Sequence, residues 1–144
     1  MGRKWAVAYI DQLLASDDYG ALVDLSQCLC CSPKFRSDHV RYALPQEAFV
    51  FVEGLIWEAQ STRSGACNYF EATRFDRQLA MKSALQIFAP PSFSEWYERG
   101  MLEWKDELKM SAVSEWMDEN ESVLTTWLRE LARGQKTLVY ELTA

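Results

Sequence analysis

Residues 44–60, LPQEAFVFVEGLIWEAQ, constrain this chain more than any other stretch. Read at helical spacing, Phe49, Val52, Leu55, Ile56 and Ala59 fill one broad face, while Val50, Phe51 and Trp57 lie off it. A helix that is apolar on nearly every side is stable only where other elements surround it. The rest of the chain must therefore supply helices that wrap this one, and Pro45 suits its first helical position.

Helical intervals recur on both sides. A first helix is expected over about residues 4–15, and a second starts near Asp17 or Asp18 and carries Leu22, Leu25, Cys28 and Leu29. CSPKFRSD, with Pro33, breaks the pattern before a short helical piece leads into the central helix. Downstream, ATRFDRQ offers Thr73 or Asp76 as a cap, Met81, Ala84, Leu85 and Phe88 repeat at i, i+3, i+4 and i+7, and APPS ends that helix. Ser92 and Glu95 have the S-x-x-E spacing of a capping box, ahead of a core stripe of Tyr97, Met101, Trp104 and Leu108. A last helix over about 114–133 buries Trp116, Val123, Leu124, Trp127, Leu128 and Leu131, with Gly134 just past its end. KTLVYELT is β-prone and reads as a tail. The expected fold is all-α: one compact domain over residues 1–144, of about six helices, with a short C-terminal extended tail.

The formal charge of −6 is unevenly placed. Residues 1–94 hold ten acids and nine bases, residues 95–121 nine acids and three bases, and residues 122–144 two acids and three bases. One segment, EWYERGMLEWKDELKMSAVSEWMDENE, therefore carries the whole excess. Such a density repels nucleic acid and anionic membranes and attracts a basic protein surface. The candidate partner-binding residues are Glu103, Asp106, Glu107, Glu115, Asp118, Glu119 and Glu121, with Trp96 as an aromatic anchor. Trp96 falls outside the Tyr97 and Trp104 stripe and close to Glu103 and Glu107, whereas Trp104, Trp116 and Trp127 are expected in the core.

Catalytic chemistry has little to stand on. His39 is the only histidine, with no nucleophile signature beside it, and the phosphate-loop, dinucleotide and zincin motifs are absent. Cys28, Cys30, Cys31 and Cys67 lack the C-x(2–4)-C pairs of a zinc site, so they are expected as buried, reduced thiols with no metal and no cofactor. No run approaches the roughly 18 apolar residues of a membrane span. The opening MGRKWAVAYIDQLL turns polar at Asp11, too early for a secretory core, and has Ala6 where a myristoylation signal wants Ser or Thr. The expectation is a cytoplasmic protein that is not an enzyme.

Three elements in residues 44–100 share a pattern with a known family. LPQEAFVFVEGLIWEAQ, SGACNYFEA and DRQLAMKSALQIFAPP follow one another as a Leu-Pro start with an apolar helix, a short aromatic joint and a helix ending before proline. This resembles the small, acidic, all-helical bacterial proteins typified by a DNA-mimic protein, a family that includes immunity proteins against secreted toxins. The family joint reads N-G-G-F-x-Q-Y-F-x-N after a Glu. Gly65 matches its second glycine, Asn68 its Gln, and Tyr69 and Phe70 its aromatic pair. Ser64, Ala66 and Ala72 replace the first glycine, the Phe and the last Asn, and Gln60 stands for the Glu, so only Gly65-x-x-x-Tyr69-Phe70 is fully kept.

Physically the joint reads as structure: Gly65 permits a tight turn, Asn68 bonds backbone, and Tyr69 and Phe70 seal the break against the core. The resemblance, added to the acidic segment, implies a non-enzymatic inhibitor that binds a protein. One reading is an immunity protein neutralising a bacterial toxin. The alternative is a DNA mimic occupying the DNA site of a transcription regulator or another DNA-binding protein. Both imply a basic protein partner, no direct nucleic acid and no membrane, and both leave a homodimer open.

Overall fold

The computed structural model describes residues 2–144; Met1, which opens the lipidation motif, lies outside them. Its axis is α3 (Gln46–Ser64), the apolar helix, which buries Phe49, Val50, Phe51, Val52, Leu55 and Trp57 on several sides at once. The hairpin of α1 (Val7–Ala15) and α2 (Tyr19–Cys30) lies on one flank. The short α4 (Ala66–Ala72), α5 (Phe75–Phe88) and α6 (Pro91–Glu103) follow, and α7 (Glu107–Glu119), α8 (Glu121–Gly134) and α9 (Lys136–Leu142) complete the shell. Helix α3 touches α2, α4, α5, α7 and α8, and a single hydrophobic core surrounds it. Gly54 lets α8 approach: a β-carbon there would stand 2.9 Å from Leu128 Cδ2 and 3.2 Å from Trp127 Cζ3.

The fold is all-helical and compact, with nine helices among the described residues where about six were expected. Three local causes account for the difference. The expected 114–133 helix is two, because Asn120 leaves helical geometry at φ −108°, ψ 12° and its Nδ2 donates to Trp116 O at 2.9 Å, closing α7 before α8 begins. The Tyr97, Met101, Trp104, Leu108 stripe is also interrupted. Tyr97 and Met101 are buried on α6, Trp104 is half-buried past its end, and Leu108 lies in the first turn of a new helix with 87% of its surface exposed. The C-terminal extended tail is overturned as well: Val139 and Leu142 face inward at helical spacing toward Leu29, Phe51 and Ala132, so burial overrides β propensity.

Smaller expectations shift for similar reasons. Helix α6 starts at Pro91 with Pro90 before it, which puts Ser92 inside the first turn, and the Ser92–Glu95 box does not form. Arg74, not Thr73 or Asp76, precedes α5; Thr73 Oγ1 instead donates to Tyr69 O at 2.6 Å and closes α4. Pro45 sits just before α3, and Gly134 is the last residue of α8. Val123 is 51% exposed, and Leu131 and Trp116 are half-buried. Residues 31–45 run as turns with no short helix. Tyr42 and Ala43 both take φ 57° there, and Arg77 holds the stretch by donating to Ser37 O, His39 O and Val40 O at 2.8–3.1 Å.

Candidate functional site

Helix α7 begins where Asp106 caps it, its Oδ1 accepting from Leu108 N at 3.1 Å and Lys109 N at 3.2 Å. Met110, Val113 and Met117 form its inward face. Glu107, Ser111, Ser114, Glu115 and Asp118 recur at intervals of three and four and form a flanking face. That face is one wall of an open groove of about 480 Å³. Cys67 of α4, Met110 and Trp104 contribute apolar lining, and Glu119 closes the rim. Ala66 N donates to Ser114 Oγ at 3.4 Å, tying the start of α4 to this wall.

Four carboxylates, those of Glu107, Glu115, Asp118 and Glu119, thus meet at one groove, and none is in an ion pair among the described residues. Two lysines stand beside the groove without pairing to these four: Lys109 Nζ lies 3.6 Å from Glu103, and Lys105 Nζ lies 5.2 Å from the ring centroid of Trp104 at the groove's edge. Of the residues singled out in the sequence, Glu103 is therefore paired and half-buried, and Asp106 is a cap. Glu121 stands apart, in the first turn of α8 beside Asp17, Tyr19 and Arg129. Trp96 is half-buried and stacks on Trp116 at 5.7 Å and 12°, with the Arg99 guanidinium 4.4 Å from its ring.

A second group of acids is internal. Glu53, on α3, is fully buried; its Oε1 accepts from the Tyr42 hydroxyl and its Oε2 from the Tyr69 hydroxyl. The Tyr69 and Tyr97 hydroxyls lie 2.8 Å apart, so Tyr97 donates to Tyr69 in a chain ending on the carboxyl. Burial raises the Glu53 pKa, and the Tyr42 and Tyr69 hydrogen bonds and the Arg77 charge oppose the rise. Glu58 is similar: burial raises it, and Tyr19 donates to its Oε2 at 2.7 Å. All four groups of the Glu53 cluster are buried, which suits it to hold α3, α4 and α6 together.

The joint residues serve that cluster. Gly65 links α3 to α4 at φ 95°, ψ 147°, a conformation in which an L side chain is strained. Asn68 Nδ2 donates to Ser64 O, Tyr69 reaches Glu53, and Phe70 is buried against Gly100 of α6. The cysteines correct an expectation: only Cys28 is buried, its thiol pushed up to about 11 chiefly by burial, while Cys30 and Cys67 are half-buried and Cys31 is exposed, all as free thiols. His39 is exposed, and its Nδ1 accepts from Arg41 N at 3.1 Å.

Sequence reasoning missed Glu53, although it is the one acid in the midst of the apolar run FVFVEGLIW. It also missed the exposed Leu102 and Leu108. The signal was Asp106 ahead of Glu107, a cap followed by an acid in the first turn, which marks a helix start and takes Leu108 off the α6 stripe. No helix among the described residues is long and apolar enough to cross a membrane. No family model, curated protein or solved structure matches this chain.

Proposed function

We propose that this chain is a non-enzymatic protein-binding inhibitor, an immunity protein that neutralises a bacterial toxin in the cytoplasm by covering a basic surface of it. The observation that carries the binding face is the gathering of Glu107, Glu115, Asp118 and Glu119, unpaired, around a groove with apolar lining. Such a rim speeds encounter with a basic surface and disfavours acidic ones, and the apolar groove retains what the field delivers. The toxin as partner rests on the resemblance of residues 44–100 to immunity proteins. A second reading, the DNA mimic, is favoured by Glu115, Asp118 and Glu119, whose i, i+3, i+4 carboxylates form a row of negative charge along a helix.

Affinity capture from the producing cell, followed by titration of the captured protein, tests both. An immunity protein binds irrespective of added duplex DNA and restores growth to cells expressing the captured toxin. A partner released by duplex DNA moves the assignment to the mimic. The variant combining Glu107→Gln, Glu115→Gln, Asp118→Asn and Glu119→Gln should associate more slowly and with a flatter salt dependence. An unchanged rate and salt slope would show that the α7 acids are only a solvated face.

A further inference from the structure

We infer that the partner inserts a basic amphipathic helix here, its Lys or Arg side chains reaching the α7 carboxylates and its apolar side chains meeting Leu102 and Leu108; this rests on the reading of the α7 face as the binding surface. Leu102 is 72% exposed and Leu108 87% exposed. Singly exposed leucines are ordinary on a protein surface. These two, however, flank the turn between α6 and α7 and line one depression together with Glu103, Trp104, Lys105, Asp106, Glu107 and Lys109. Trp104 and Glu107 also line the acidic groove, so the two leucines adjoin the carboxylate rim, with Lys105 and Lys109 on the leucine side.

Shape and charge specify the occupant. The groove wall runs along α7 from Glu107 to Glu119, about 18 Å at the helical rise, which is room for roughly three turns of a second helix alongside. The unpaired carboxylates call for cations, and no lysine or arginine is among the described residues that line their groove. An anionic membrane is repelled by the same rim. A second copy docking through a two-fold axis would set the acidic rim against itself. A basic helix with an apolar stripe satisfies both halves of the surface.

The test is a titration of the isotope-labelled full chain with a synthetic amphipathic helical peptide of lysine, leucine and alanine. It is followed through the Trp104 indole N–H, assigned with Trp104→Phe, and the Leu102 and Leu108 methyls. Saturable shifts confined to the α6–α7 corner and the α7 face are expected. Leu102→Ser with Leu108→Ser should weaken the complex by about tenfold at low and high salt alike, whereas the four-acid variant should weaken it at low salt only. If a peptide with serine in place of leucine binds equally well, the apolar contact fails and the acidic-face reading survives. If the lysine–leucine peptide perturbs only the α1–α2 side, both fail. Shifts at Leu102 and Leu108 on adding anionic vesicles, or dimerisation of the free chain abolished by Leu108→Ser, would give the patch to a membrane or to a second copy and overturn the inference.

Discussion

Replacing Gly100 with alanine sets two effects against each other, and the geometry decides between them. Gly100 lies inside α6, where alanine is favoured over glycine by about 1 kcal/mol of helix propensity. A β-carbon there would stand 2.1 Å from Phe70 Cε2, 2.3 Å from Cζ and 2.9 Å from Cδ2. Carbon atoms in contact are comfortable at about 3.5–4.0 Å, so ring or helix must move by more than about 1 Å. Phe70 has little freedom to move. Its ring meets Tyr69 at 5.0 Å and Tyr97 at 5.2 Å, edge to face, and both tyrosines are tied into the Glu53 cluster. Overpacking a core costs about 1–3 kcal/mol, and a displacement this large belongs at the upper end, leaving a net loss of about 2 kcal/mol after the gain in propensity. Thermal unfolding followed by circular dichroism should show Tm lower by about 4–8 °C. Adding Phe70→Leu should recover part of the loss, so the double variant is less destabilised than the sum of the singles. An alanine variant as stable as the parent would refute the close approach of α4 and α6.

Two further substitutions probe the same region. The folded-state pKa of Glu53 is raised above its ordinary 4.5, so its contribution to stability is fully present below that value and is lost as pH rises through the folded pKa. Glu53→Gln removes that contribution, and the difference in unfolding free energy between parent and variant should therefore change with pH, by at most about 1.4 kcal/mol per unit; superimposable profiles would sink the assignment. Gly65→Ala should lose about 1–3 kcal/mol in urea unfolding although no atom obstructs its β-carbon, because the penalty is in the backbone. A semisynthetic D-alanine at the same position, which accepts positive φ, should restore most of it, and equal losses for both enantiomers would contradict this reading.

What was legible in the sequence is what local rules govern. The central helix could be read because apolar residues on every side admit only burial, and the Gly65 joint because a glycine ahead of an aromatic pair has few other uses. Helix α9 was not legible: Thr137, Leu138, Val139 and Tyr140 favour a strand, and only contact with α2, α3 and α8 makes the helix preferable. The break at Asn120 was hidden because the apolar period of α7 runs on into α8 across it. The acidic segment was legible as charge but not as a site. Four of its carboxylates line the groove while Glu103, Asp106 and Glu121 do other things, and that sorting depends on where α4 and Trp104 sit.

Why the α7 acids lack internal counterions follows from what the arginines do. Arg74 donates to Asp38 O, Arg77 to three carbonyls of the 37–40 turn, Arg129 to Asp17 O, and Arg133 to Leu14 O and Ser16 O. Each ties separate parts of the chain together through backbone oxygens, and Arg74, Arg129 and Arg133 also pair with Asp76 or Asp17, so none of these guanidinium groups pairs with an acid of α7. The buried carboxyls make no demand on these cations as direct partners, since Tyr42 and Tyr69 donate to Glu53 and Tyr19 donates to Glu58. Acids inside are thus held by phenol hydroxyls, these arginines hold carbonyls and other acids, and Glu107, Glu115, Asp118 and Glu119 are left without an ion pair among the described residues. Removing those acids should hardly alter stability, because exposed like charges contribute little and their loss relieves repulsion. Any cation that a partner brings to the groove meets carboxylates with no internal partner to give up, so the effect of neutralising them belongs in association kinetics and its salt dependence, separable from folding in one set of variants.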